Sequence, residues 1–106
     1  MIPRGAIYEI KAAPKALGRE QQGGRCAVII QSDQFATGVL TVAMTSTRAA
    51  QTIYRPLIDL AGTKTRILTD QIHSVDPDRL GTFTGVLEAA EMERLNQALL
   101  LKLGLF

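Results

Sequence analysis

A short polar segment, residues 20–25 (EQQGGR), directly precedes the apolar run CAVII and combines an acid, two amides, a glycine pair and an arginine. The adjacent glycines Gly23 and Gly24 allow positive φ or a close approach of the backbone to a ligand. The guanidinium of Arg25 presents a planar set of donors that fits phosphate. Two interpretations remain open: a phosphate site, or a strand-entry turn in which Arg25 pairs with Glu20 or Asp33.

A second polar group, Thr45-Ser46-Thr47-Arg48, ends an apolar stretch that is rich in β-branched residues. Strand ends are suitable places for a site because the scaffold holds them in position. Hydroxyls there could donate to a non-bridging phosphate oxygen or position a sugar. Ordinary turn chemistry, in which Ser and Thr bond nearby backbone groups, explains the same residues, and spacing alone favours it.

Other chemistries have less support in the sequence. The chain has one histidine, one cysteine and no carboxylate pair at ligand spacing, so we expect neither a metal site nor a cofactor. His73 falls within an alternating strand pattern and Cys26 begins a buried run, which favours structural roles for both. Neither a P-loop nor a dinucleotide-binding glycine pattern is present.

The composition predicts one soluble domain over residues 1–106, a length sufficient for one modest core. No signal-peptide core is visible, and no apolar run approaches the roughly 20 residues of a membrane span, so we expect a cytoplasmic protein. Residues 1–66 carry nine Lys/Arg against four Asp/Glu, whereas residues 67–106 carry three against six. A basic face suits a polyanion, although a mixed solvated surface also explains so small a net charge.

The elements that must position these residues are mostly strands. Alternating and β-branched patterns predict strands over residues 5–10, 26–31, 39–45, 53–58, 66–75 and 82–86. Pro56 indicates an edge strand or a bulge. Ser32-Asp33 and Asp76-Pro77-Asp78 are expected to begin short helical turns, and residues 11–24 read as a long irregular loop.

The one long helix is predicted over residues 88–103, with Gly104 as its stop. Its apolar face holds Met92, Leu95, Leu99 and Leu103. The second half carries more leucines than one stripe can hold, so the surplus packs either into the core or against a second protomer, and neither is favoured. Five or six short strands followed by one helix predict a mainly β, barrel-like antiparallel sheet with the helix packed on it.

Five blocks in order give the chain a resemblance to the MazF/PemK toxins of bacterial type II toxin–antitoxin systems. RGAIYEI is similar to the family's N-terminal Arg-Gly strand, and GREQQGGRCAVIIQSD to its Glu-Gln-x-Gly-x-Arg-Pro stretch. VLTVAMTSTR resembles the strand that ends in Thr-(Ser/Thr), and LTDQIHSVDPDRLG the (Asp/Glu)-Gln-(Ile/Val) block. The final block, EMERLNQALLLKLGL, resembles the closing helix.

The resemblance implies an SH3-like barrel with a C-terminal helix, acting as a homodimer. It implies a metal-independent endoribonuclease (mRNA interferase) for single-stranded RNA, inhibited by an antitoxin whose acidic C-terminal segment blocks the RNA groove. Carried onto this chain, the catalytic positions are Arg25 and Thr45, with Glu20 orienting the substrate or acting as base. The substrate-binding positions are Arg19, Gln21, Gly23, Gly24, Ser46, Thr47, Arg48, Asp70, Gln71 and His73.

Several positions depart from the family pattern. Cys26 stands where proline is usual, and His73 stands where arginine or lysine is usual. Of the histidine, strand arginine and aspartate assigned to catalysis in the PemK branch, this chain retains only the aspartate, Asp70, with Arg19 and Leu68 at the other two positions. We therefore assign the mechanism that uses arginine and threonine.

Two other classes of protein stay open at this point. One is a gyrase poison on the same fold, like the CcdB toxins, whose Trp-Gly-Ile tail is not matched by the Leu-Gly-Leu-Phe end of this chain. The other is a degenerate toxin that binds antitoxin or RNA without cutting, which the departures at Cys26 and His73 keep open.

Overall fold

The chain folds into a mainly β structure closed by one C-terminal helix, as the sequence predicts. A computed structural model describes residues 2–11 and 25–106. The elements are β1 (Ala6–Ile10), β2 (Arg25–Ile29), β3 (Leu40–Ser46), β4 (Leu57–Leu60), β5 (Thr63–Val75), a single 3₁₀ turn (Pro77–Arg79), β6 (Leu80–Val86) and α1 (Ala89–Lys102).

The six strands form one antiparallel sheet in the order β4-β5-β3-β2-β1-β6. The sheet curls until its two edge strands, β4 and β6, approach each other. A Cβ placed on Gly85 of β6 would lie only 3.9 Å from Leu60 Cδ1 of β4. This curl gives the barrel-like shape that the sequence predicts. It also brings the strand ends into a ring, where side chains from different strands can meet.

Alternation along the strands divides the core between the two faces of the sheet. One face carries the buried side chains Ala6, Ile10, Ala27, Ile29, Leu40, Val42, Met44, Leu68 and Val75. The other face, on which α1 packs, carries Ile7, Val28, Ala43, Ile58 and Ile67, together with Leu87 and Leu95. Because adjacent residues in β2 and β3 belong to different faces, a shift of one residue in register would expose both cores.

The fourth strand lies later in the chain than the sequence predicts. Residues 53–55 form a turn in which the Arg55 N–H donates to the Thr52 carbonyl at 3.2 Å, so β4 begins only at Leu57. The two-residue connection Ala61-Gly62 has φ of 52° and 87°, which is the geometry of a type I′ hairpin turn. The edge strand that Pro56 indicates is confirmed, because β4 lies at the edge of the sheet, but the predicted bounds 53–58 are wrong. β5 begins at Thr63 rather than Arg66.

The two expected helical turns have different outcomes. Asp76 caps the 3₁₀ turn by accepting from the Asp78 N–H at 2.9 Å, so the turn at Asp76-Pro77-Asp78 is confirmed. Ser32 begins no helical turn, because its Oγ accepts the Gln34 N–H at 3.1 Å in a local hydroxyl turn and the chain then continues irregularly to β3.

The helix matches its predicted bounds to within one residue at each end. Glu91 accepts from the Glu88 N–H at 3.0 Å, which caps the N-terminus. Gly104, with φ of 71°, ends the helix, and the Leu105 N–H donates to the Leu100 carbonyl at 2.8 Å in a Schellman arrangement. Across the described residues, no helix combines the length and the apolar character needed to cross a membrane.

Candidate active site

Side chains from four strands meet in a pocket at one end of the curled sheet. β2 begins here, β3 ends here, and the β4–β5 hairpin turns here, because neighbouring strands are antiparallel. The pocket has a volume of about 130 Å³. Its described lining, which we call the strand-end pocket, consists of Arg25, Cys26, Thr45, Ser46, Thr47, Leu60, Thr63 and Thr65.

The two polar segments singled out in the sequence therefore lie together. The register pairs Ala27 of β2 with Met44 of β3, and extending it by two residues places Arg25 opposite Ser46. Arg25 is also the cross-strand partner of Ile10 on β1. Antiparallel pairing thus explains how a residue at the start of one strand reaches hydroxyls at the end of another.

The hydroxyls of Thr45 and Ser46 are held in different ways. Thr45 Oγ1 donates to the Cys26 carbonyl oxygen at 2.9 Å, and the direction is fixed because a carbonyl can only accept. Ser46 Oγ accepts the Arg48 N–H at 3.1 Å, and its own hydrogen is donated to no group among the described residues. Both residues are more than nine-tenths buried, so packing fixes their positions. In this arrangement Ser46 can donate to a ligand, whereas Thr45 offers lone pairs.

Cys26 lines the pocket at the position where the related family has proline. Burial raises the pKa of the Cys26 thiol above its ordinary value, and a hydrogen bond with Thr84 opposes that shift without cancelling it. The thiol is therefore protonated near neutral pH and is a poor nucleophile. This agrees with the structural role that the sequence favours.

Sequence reasoning missed the contribution of the β4–β5 hairpin to the pocket, namely Leu60, Thr63 and Thr65. The strand is predicted to start at Arg66, which leaves both threonines outside the predicted strands. The signal that could have found them is the alternating TKT at residues 63–65, which continues the period of β5 back to the hairpin.

Four other predicted substrate-binding residues do not line this pocket. Arg48 is exposed beside it. Asp70 is held by Arg55 through two hydrogen bonds, Nε to Oδ1 at 3.1 Å and Nη2 to Oδ2 at 2.7 Å. Gln71 Oε1 is buried and accepts from no described group. His73 lies farther along β5, opposite Val42 of β3.

A bulge in β5 explains why Asp70 and Gln71 point elsewhere. Met44 pairs with Leu68, but its neighbour Ala43 pairs with Ile72, so residues 69–71 have no partners of their own on β3. Their roles in substrate binding remain predictions. The predicted residues Arg19, Glu20, Gln21, Gly23 and Gly24 lie outside the described residues.

The strand-end pocket has a composition that suits an anion. Its described lining includes one guanidinium and five hydroxyls, and no carboxylate. Hydroxyls and a guanidinium are the common side-chain donors to phosphate oxygens. Over residues 2–11 and 25–106, no group of three His, Cys, Asp or Glu side chains is placed to hold a metal ion.

The chain is thus a small, mainly β protein, and the pocket at its strand ends is lined by side chains that can donate hydrogen bonds to phosphate. A family model described as PemK-like, MazF-like toxin of type II toxin–antitoxin system matches residues 3–103. The chain therefore belongs to the PemK/MazF toxin family, as its five sequence blocks indicate.

Relatives from mycobacteria agree with this assignment. A Mycobacterium tuberculosis protein provisionally named a toxin, Rv3098A, is 36% identical over 106 residues, which is 99% of this chain and 100% of that protein. Endoribonuclease MazF9 of the same organism is 31% identical over 119 residues, covering 100% of this chain and 99% of its own.

Solved structures share the fold. A mycobacterial endoribonuclease in complex with its cognate antitoxin matches with a TM-score of 0.81 and 21% identity, over 100% of this chain and 98% of that one. MazF from Deinococcus radiodurans matches with a TM-score of 0.80 and 21% identity, over 97% and 96%. The prediction of a barrel of this type is confirmed.

Proposed function

We propose that this chain is an endoribonuclease toxin that cleaves single-stranded RNA in the strand-end pocket. The observation that carries the proposal is the described lining of that pocket, which combines Arg25 with five hydroxyls and includes no carboxylate. Membership of the PemK/MazF family and the 31% identity to an endoribonuclease support the same activity.

The proposed reaction is a transesterification within the RNA. The ribose 2′-oxygen forms a bond to the adjacent phosphorus, and the bond from phosphorus to the 5′-oxygen of the next nucleotide breaks. The 2′-hydroxyl proton passes to a base, and a proton is delivered to the leaving 5′-oxygen. The products are a 2′,3′-cyclic phosphate and a 5′-hydroxyl, so atoms balance without water or metal.

Each residue of the pocket has a distinct task in this scheme. Arg25 neutralises the charge that develops on the pentacovalent phosphorus and is suited to protonate the leaving oxygen. Ser46, with its hydrogen available, donates to a non-bridging phosphate oxygen. Thr45, whose hydrogen lies on the Cys26 carbonyl, accepts from the attacking 2′-hydroxyl and orients it. Glu20 remains the proposed base or orienting group.

We further propose the assembly that the family implies. The active form is a cytoplasmic homodimer, and its antitoxin inserts an acidic C-terminal segment into the RNA groove. An acidic segment suits the N-terminal part of the chain, because residues 1–66 carry nine Lys/Arg against four Asp/Glu. The antitoxin carboxylates would then compete with RNA phosphate for Arg25.

The test is cleavage by an Arg25→Ala variant. The purified protein is incubated with a long RNA of mixed sequence in EDTA, and the 5′ ends and terminal phosphates of the products are mapped. We expect cleavage by the wild type and a loss of about 100- to 1,000-fold in rate for Arg25→Ala, because one transition-state donor is removed.

The control is Arg94→Ala, which removes an exposed arginine on α1 that is absent from the pocket lining. Arg94→Ala should cleave at close to the wild-type rate, and circular dichroism should show both variants folded. Undiminished cleavage by Arg25→Ala, or cleavage that requires added magnesium, would overturn the mechanism. Gyrase trapping without RNA cleavage would instead identify a poison of the CcdB type.

A further inference from the structure

Thr65 occupies a place in the strand-end pocket that neither the sequence nor the family assigns. It pairs with Ile58 across the β4–β5 hairpin and lies two residues before Ile67, the cross-strand partner of Thr45. Thr45 and Thr65 are therefore diagonal neighbours on adjacent strands, a relation that separates two residues by about 7–8 Å.

The side chains of Thr45 and Thr65 leave the sheet on the same face. Directly opposed residues share a face, so Thr45 lies on the face of Ile67, and Thr65 shares that face by the two-residue period of a strand. Ile67 and Ile58 belong to the core beneath α1. Thr65 is only 3% exposed and lines the pocket, so the surrounding residues restrict its side chain.

A donor on Thr65 would complement Thr45. The hydrogen of Thr45 is committed to the Cys26 carbonyl, so the Thr45 hydroxyl offers lone pairs to a ligand rather than a hydrogen. A bound phosphodiester has two non-bridging oxygens, both of which gain negative charge during transesterification. Arg25 lies on β2 and Ser46 lies on β3, whereas Thr65 lies on β5, on the other side of β3 from Arg25.

We infer that Thr65 is a substrate-contacting residue whose hydroxyl donates to a phosphate oxygen on the side of the pocket opposite Arg25. The inference rests on the proposed RNA cleavage and adds a donor to the proposed site. The β4–β5 hairpin is then part of the phosphate site, and its type I′ turn at Ala61-Gly62 sets the position of Thr65.

The test compares Thr65→Val, Thr65→Ser and the wild type on one RNA oligonucleotide that contains the mapped cleavage site. Valine keeps the branched shape and removes the hydroxyl, whereas serine keeps the hydroxyl and removes a methyl group. We expect kcat/KM to fall about 10- to 100-fold in Thr65→Val, and Thr65→Ser to restore most of it.

Thr69→Val is the matched control. Thr69 is equally buried on the same strand, but its hydroxyl bonds the Tyr54 carbonyl and the residue does not line the pocket. We expect Thr69→Val to lower the Tm without lowering kcat/KM at a temperature where the variant is folded. A Thr65→Val variant that cleaves at the wild-type rate would overturn the inference.

Two further outcomes distinguish failure of the inference about Thr65 from failure of the proposed RNA cleavage. If Thr65→Ser is as slow as Thr65→Val, a hydroxyl at this position does not preserve the rate, the exact shape of the side chain explains the loss, and the donor role is wrong. If the wild type shows no cleavage, the proposed function itself fails, and this is visible before any variant is compared. Cleavage by the wild type that is insensitive to Thr65→Val would leave the proposed function standing and remove only the inference.

Discussion

Asp70 is bound by a partner side chain that suits it to a structural role. The family resemblance places this carboxylate among the substrate-binding positions, but Arg55 holds both of its oxygens. Hydrogen bonding by Arg55 lowers the pKa of Asp70 below its ordinary value and raises that of Arg55. A carboxylate engaged in this way is better suited to hold the chain before β4 against β5 than to accept a proton.

This pair predicts a stability that depends on pH. Since the pKa of Asp70 is lowered on folding, its contribution is complete above the unfolded value of about 3.9 and disappears as pH falls through the lower folded value. We expect Asp70→Asn to lose roughly 1–2 kcal/mol of unfolding free energy at pH 7, because both side chains are only 20% exposed. Urea denaturation at pH 7 and at pH 3 measures the difference.

The control is Asp33→Asn, which changes an exposed carboxylate that forms no ion pair with a described residue. Its effect on stability should be within about 0.5 kcal/mol at either pH. The deficit of Asp70→Asn should shrink between pH 7 and pH 3, since the wild type gradually loses the charged partner of Arg55. An equal deficit at both values would show that the carboxylate charge is not involved.

The candidate site was predictable from the sequence where it depends on residue type and strand ends. The sequence alone shows hydrogen-bond donors next to a predicted strand end. It therefore predicts four residues that line the pocket, Arg25, Thr45, Ser46 and Thr47. Thr65 was not found, because its membership depends on where β5 begins, and a two-residue hairpin turn decides that. Pairing between distant segments, as in the bulge at residues 69–71, leaves no local pattern.

Among the elements, the helix was the most predictable and β4 the least. The helix carries its own signals, a glutamate pair at the start and a glycine at the end, and these act within one turn. The apolar residues 53–58 suggest a strand, but Pro56 lacks an N–H and residues 53–55 turn instead. Local signals thus set the helix, whereas β4 is set by its partner β5.

The start of β1 is joined to α1 by the Arg4-Gly5 pair. Arg4 Nε donates to the Ile30 carbonyl at 2.7 Å, and its Nη1 lies 3.0 Å from Met92 Sδ on the helix. Gly5 has φ of 91°, and a Cβ there would lie 2.3 Å from Met92 Cε. The backbone conformation therefore favours glycine, and the terminal methyl group of Met92 would have to move to admit a Cβ.

This contact predicts that Gly5→Ala lowers stability. Positive φ costs an alanine of order 1 kcal/mol or more, and displacement of Met92 adds to that cost, so we expect a loss of roughly 1–3 kcal/mol. Chemical denaturation measures it. Gly38→Ala is the control, since a Cβ there meets nothing within 4 Å. Equal stability of the two variants would contradict the proposed close packing of β1 on α1.

The molecule as a whole leaves the end of α1 uncovered. Leu95 and Leu99 pack on the core, so the helix face predicted from the sequence is correct in its first three turns. Beyond them, Leu103 is 53% exposed, Leu105 is 65% exposed and Phe106 is 89% exposed. The single chain does not bury these side chains, which favours the second of the two alternatives for the surplus leucines, a contact with another protomer.

The proposed homodimer gives this surface a measurable consequence. We expect the wild type to sediment with twice the monomer mass of 11.5 kDa over a dilution series, because exposed leucine and phenylalanine side chains gain free energy when they are removed from water. A Leu103→Lys and Phe106→Lys double variant places two charges of the same sign in that contact from each protomer and should sediment as a monomer.

Phe35→Lys is the control, since Phe35 is also exposed but lies in the loop between β2 and β3. If the dimer uses the end of α1, Phe35→Lys should keep the wild-type mass. A wild type that is monomeric at every dilution would contradict the homodimer. If Phe35→Lys is monomeric while the Leu103→Lys and Phe106→Lys double variant is dimeric, the contact lies on the other face of the sheet. The described lining of the strand-end pocket comes from one chain, and a monomeric but folded variant that still cleaves RNA would show that dimerisation is separable from the chemistry.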